Sequence, residues 1–124
     1  MTDMTAAVQK PTLQGVAPTY TPVTVSDKFL AAPNAKYLLH YKNGATPQAT
    51  GTMKASDPTT AIPPGSGLAA GFADAVLIGT PMGATTESFA YIDNSNRFRD
   101  AFGYINLVAS GTLTTVSVSI VGPL

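Results

Sequence analysis

After Val23 the apolar and polar positions alternate mostly with a period of two rather than 3.6, which is the pattern of strands with one buried face. In 104–109, Ile105, Leu107 and Ala109 fall on one face. In 114–120, Val116, Val118 and Ile120 alternate with Thr115, Ser117 and Ser119. The β-branched content of the second segment suits a half-buried pleated surface. Ser110-Gly111 between the two is a turn dipeptide, so the spacing predicts an antiparallel hairpin.

Further strands are predicted at 23–29, 36–42, 48–54, 73–80 and 86–92. Turn residues punctuate them: Pro33-Asn34, Asn43-Gly44, Asp57-Pro58, Pro63-Pro64-Gly65 and Pro81-Met82-Gly83. With 11 Gly and 10 Pro in 124 residues, this points to an all-β fold, an antiparallel β-sandwich or barrel-like sandwich of about seven or eight strands. No window supports a capped amphipathic helix, although 94–101 admits a short helical turn. Residues 1–22 carry Pro11, Pro18 and Pro22 without apolar periodicity and are expected to form an extended N-terminal arm whose deletion spares the fold but weakens assembly. Residues 23–124 then form the single sandwich domain, with a long loop at 55–71.

Composition narrows the function. Charged residues make up 11 % of the chain against roughly 25 % in an ordinary domain, and seven Lys plus Arg balance seven Asp plus Glu. Without a basic cluster, binding to nucleic acid or to an anionic membrane is not expected. No stretch has the length of a membrane-spanning helix and the N-terminus lacks a signal-peptide pattern, so the chain is expected to be soluble and made in the cytoplasm. A neutral, sparsely charged surface keeps a free monomer in solution poorly, which is consistent with a surface meant to be covered in an assembly.

The chain carries little sign of catalysis. There is one histidine, His40, and no cysteine, so neither a His/Cys metal set nor a thiol nucleophile can be composed. Alternation places His40 with Leu38, opposite Tyr37, Leu39 and Tyr41, and a structural or interface role is expected for it. A Ser-His-Asp set would have to recruit Asp27, Asp57 or Asp74 without a G-x-S-x-G motif. The segment 93–100, Asp-Asn-Ser-Asn-Arg-Phe-Arg-Asp, looks superficially like a calcium loop, but Phe98 stands where glycine is required and Arg97 and Arg99 oppose a cation. A turn is expected there, with either Arg pairing locally to Asp93 or Asp100. Gly65-Ser66-Gly67 has no phosphate-loop pattern, and a lone Glu87 with scattered Asp residues offers no glycosidase pair. Neither an enzyme nor a cofactor or metal is expected. Among the aromatic residues, Tyr37, Tyr41, Phe89, Tyr91, Phe98, Phe102 and Tyr104 could form a sugar or peptide platform, but most are expected to fill the core.

The order of five short segments carries a resemblance. These are 17–21 (Ala-Pro-Thr-Tyr-Thr) with 23–27, then 37–44 (Tyr-Leu-Leu-His-Tyr-Lys-Asn-Gly), 76–83 (Val-Leu-Ile-Gly-Thr-Pro-Met-Gly), 98–103 (Phe-Arg-Asp-Ala-Phe-Gly) and the β-branched 104–121. Together they resemble the capsid decoration, or cement, proteins encoded near the major capsid gene of tailed bacteriophages. The chain departs from that pattern at Arg99, where Asn is expected, and in the long 55–71 insertion. The resemblance implies a non-enzymatic virion protein, a small β-sandwich docked outside an icosahedral shell, commonly as a homotrimer, with the major capsid protein as partner. It implies made-in-host cytoplasm and residence on the capsid exterior. The candidate interface residues are Pro11, Pro18, Tyr20 and Pro22 in the arm, Pro63, Pro64, Leu68 and Phe72 in and beside the long loop, and Arg97 and Arg99. A tail or head-tail module and a carbohydrate-binding sandwich are the alternatives.

Overall fold

The computed structural model of the chain describes residues 2–11, 15, 17–44, 52–56, 75–79 and 82–124. Nine strands are formed among them: β1 (Thr2–Asp3), β2 (Thr21–Pro22), β3 (Ser26–Leu30), β4 (Tyr37–Asn43), β5 (Met53–Ala55), β6 (Ala75–Ile78), β7 (Glu87–Ile92), β8 (Tyr104–Ala109) and β9 (Val116–Val121). They build two sheets, one in the order β1-β3-β8-β5-β6 and the other in the order β2-β9-β4-β7. The protein is an all-β sandwich, and neither sheet closes on itself.

Alternation sets what each sheet buries. Phe29, Ile105, Leu107, Met53 and Ala55 point inward from the first sheet, and Tyr37, Leu39, Tyr41, Val118, Ile120 and Ile92 from the second; all are buried. The Phe29 and Tyr37 rings meet edge to face at 5.2 Å, joining the two layers. Asp27 is buried on the inner face, where it accepts the Thr24 amide at 2.9 Å and the Thr24 hydroxyl. Burial first, and the Asp27 charge second, push the Tyr41 phenol well above the usual tyrosine range, so it stays neutral in the core.

The hairpin expected across Ser110-Gly111 is not formed. β8 pairs with β3 and β5 in the first sheet, whereas β9 pairs with β4 and β2 in the second. The connection therefore crosses from one layer to the other. Ile105, Leu107 and Ala109 can face Val116, Val118 and Ile120 across a sandwich as readily as they could lie beside them in one sheet, and each strand pairs instead along its length, β8 with β3 over five residues and β9 with β4 over six. The short helical turn admitted at 94–101 appears as a 3₁₀ turn at Ser95–Arg97.

The described part of 1–22 is extended apart from a 3₁₀ turn at Thr5–Ala7, and it lies against the sandwich rather than projecting as an arm. β1 runs parallel to β3, and Met4, 2 % exposed, enters the core with its amide on the Lys28 carbonyl at 2.7 Å. The chain then crosses to the second sheet, where the Gln9 amide donates to Ile120 at 2.9 Å and the Gly122 amide to Gln9 at 2.7 Å. Further on, β2 pairs with β9 through Thr21 and Pro22. Gln9 also holds the intervening chain, its side chain donating to the Ala17 carbonyl at 2.8 Å and accepting the Thr19 amide at 2.7 Å. Prolines at 18 and 22 suit an edge position because they lack an N–H to pair.

Candidate interaction surface

The outer face of the second sheet carries the most concentrated set of polar and aromatic side chains among the described residues. Because β4 pairs with β7, the register places Leu38 beside Tyr91, His40 beside Phe89 and Lys42 beside Glu87. The His40 ring stacks on Phe89 with centroids 4.3 Å apart and meets Tyr20 edge-on at 5.5 Å. Its Nδ1 lies 2.8 Å from the Tyr20 hydroxyl. Nε2 lies 3.2 Å from a Glu87 carboxylate oxygen, within ion-pair range when the ring is protonated, but it is not aligned for a hydrogen bond. Lys42 sits over the Tyr20 ring at 4.9 Å. The β2 side of this face is thus covered by the N-terminal segment, whereas Phe89, 66 % exposed, and Tyr91, 53 % exposed, lie open on β7.

A second exposed feature stands at the end of the sandwich where 30–36 and 94–104 meet. Ser95, fully buried, donates from its hydroxyl to the Ala32 carbonyl at 2.6 Å and accepts the Ala35 amide at 3.0 Å. Asn34 and Asn96 bond to each other through both side chain and backbone. The turn that follows is pinned by Asp100. One carboxylate oxygen accepts the amides of Phe102 at 2.8 Å and Tyr104 at 3.0 Å, and the other accepts the Asn106 side chain at 3.0 Å. Desolvation alone would raise the Asp100 pKa; the bonds from Asn106 and from the amides of Tyr104, Phe102 and Gly103 outweigh it, and the carboxyl titrates below its ordinary value. Gly103 takes a φ of +89°, which its lack of a Cβ permits in a turn this tight. The result is a bonded turn that presents Phe102 at 83 % exposure, while Gly103 beside it lies close to the Leu30 and Arg99 side chains.

Among the described residues, the sequence-predicted interface residues fall on two parts of the fold. Tyr20 and Pro22 lie along the second sheet with Pro18 before them, and Pro11 is exposed after the Gln9 bridge. Arg97 and Arg99 belong to the loop end: Arg97 packs its guanidinium over Phe98 at 4.9 Å, and Arg99 donates from Nε to the Ala31 carbonyl at 3.0 Å. The Asp100 carboxylate at the end of 93–100 is taken up by the amides of Phe102 and Tyr104 and by Asn106. Pro63, Pro64, Leu68 and Phe72 lie outside the described residues.

The expectation that most aromatic residues fill the core holds for Tyr37, Tyr41 and Phe98, but not for Phe89, Tyr91 or Phe102. The signal lay in 87–92, Glu-Ser-Phe-Ala-Tyr-Ile, where Ala90 and Ile92 already supply an inward face and force Phe89 and Tyr91 outward. Around His40 lie the Tyr20 hydroxyl, a Glu87 carboxylate oxygen and the Phe89 ring, with Ser119 as its register partner on β9. The surface offers exposed aromatic rings held on bonded backbone. Comparison of the chain with protein-family models, with curated proteins and with solved structures finds no match.

Proposed function

We propose that the protein is a structural component of a virion, a decoration protein that binds the outside of an icosahedral phage capsid through the major capsid protein and stabilises the shell. The reading rests on the ordered run of segments from 17 to 121, and one surface observation favours it: a turn locked by Asp100 that holds Phe102 out at 83 % exposure in a chain of zero net charge. A rigid aromatic side chain of that exposure loses little entropy on docking and buries a large apolar area, which is the chemistry of an interface anchor. A protein that binds the expanded shell and not its dissociated subunits stabilises the shell by mass action.

The test is direct. Purified protein mixed with expanded, undecorated capsids should bind at a fixed number of copies per particle and raise the temperature at which the particles open. Phe102→Ala should weaken binding roughly tenfold or more, as loss of a central aromatic anchor does. Absence of binding, or binding that leaves the opening temperature unchanged, rejects the role.

A further inference from the structure

From the register of β7 we infer that two copies of this chain associate through that edge, joining their four-stranded sheets across a twofold axis. Among the described residues β7 is the last strand of the second sheet and pairs on one side, with β4. The Asn43 amide donates to the Thr86 carbonyl at 2.9 Å, which fixes the phase of the ladder: residues 86, 88, 90 and 92 turn their backbone groups toward β4. Glu87, Phe89 and Tyr91 therefore turn theirs to the free edge, and among the described residues those groups have no partner. Edge strands that avoid pairing are usually short, bulged, or carry Pro or Lys. β7 has six residues, an uninterrupted register with β4, and neither Pro nor Lys.

The occupant follows from self-complementarity. In an antiparallel pair centred on Phe89, Phe89 faces Phe89 of the other copy, and Glu87 faces Tyr91 in both directions, so all three outward residues form hydrogen-bonded pairs. Shifting the register leaves at least one of the three unpaired. The same register places the two Glu87 carboxylates four residues apart along the strand, about 13 Å, so they do not oppose each other. Phe89 and Tyr91 from both copies then make one aromatic row on the outer face. The zero net charge adds no repulsion between copies. This contact is twofold and cannot by itself build the trimer that the resemblance implies. It stands on the strand register alone, independently of capsid binding.

The absence of cysteine makes a clean probe available. Facing residues of a hydrogen-bonded antiparallel pair lie about 5.5 Å apart at Cα, within disulfide range. Phe89→Cys should therefore form a disulfide-linked dimer under mild oxidation, whereas Val25→Cys, at the same 66 % exposure but outside β7, should stay largely monomeric. In sedimentation equilibrium the unmodified protein should show a dimer, and Phe89→Lys should weaken it roughly tenfold or more with its melting temperature close to that of the parent. A protein that stays monomeric at about 1 mM, a concentration at which even a weak specific contact is populated, overturns the inference. So does equal crosslinking of the two cysteine variants, or an oligomer that a folded Phe89→Lys leaves unchanged.

Discussion

Asp100 shows how one carboxylate can set the position of an exposed aromatic side chain several atoms away. It takes bonds from two amides and from Asn106, and so determines where Phe102 stands. Asp100→Ala leaves the Asn106 amide and two backbone N–H groups to find water, a loss of about 1 to 3 kcal/mol measured by denaturant unfolding. The sign of the pH dependence follows from the lowered pKa. A carboxyl that titrates lower in the folded than in the unfolded chain contributes stability above its ordinary value near 4, and that contribution fades as pH falls through the folded value. The stability gap between parent and Asp100→Asn should accordingly be largest near neutral pH and narrow below about pH 4. A gap that widens on acidification would show that Asp100 is not held in its charged form. Capsid affinity should fall in Asp100→Ala as well, because Phe102 would then pay to become ordered on docking.

At the scale of elements, the N-terminal residues make the sharpest case. Proline content and the lack of periodicity say only that 1–22 is extended. Where an extended segment lies depends on which sheet edges are vacant, and that is information held in distant residues such as Ile120, Val118 and Lys28. Met4 stands between Asp3 and Thr5 with no alternating pattern to reveal it as a core residue, yet it is 2 % exposed beside β3. Met4→Ala should therefore cost about 2 to 5 kcal/mol in chemical unfolding, as for other buried large-to-small changes. A cost under about 0.5 kcal/mol, typical of surface positions, would show that the segment merely rests on the sandwich. Strands β4, β7, β8 and β9 were legible to within about two residues because each has one buried face and hence period two. Their distribution between sheets was not, since an inward-facing row reads the same whether its neighbour lies beside it or across the core. For the same reason the surface was legible in part. Alternation put His40 opposite Tyr37, Leu39 and Tyr41, but its contacts with Tyr20, Glu87 and Phe89 join three segments that only the pairing brings together.

For the whole molecule, the scarcity of charge now has a location. The described surface offers Phe102 at one end and Phe89 with Tyr91 along one edge, while the ionic groups near them are engaged internally: Asp100 in its turn, Arg99 with Ala31, Lys42 over Tyr20 and Glu87 beside His40. Contacts made through these features are apolar and backbone-mediated, so they gain little from long-range attraction. Salt screens interactions between exposed charges with a Debye length of about 10 Å at 0.1 M, whereas it leaves burial of rings and strand pairing almost untouched. Both self-association and capsid binding should therefore change less than about threefold between 50 mM and 500 mM sodium chloride, measured by sedimentation and by particle binding. A surface that docked through Arg97 and scattered lysines would instead lose affinity steeply over the same range, as charge-steered complexes do. Salt dependence thus separates recognition by exposed aromatic side chains from recognition by a charge pattern.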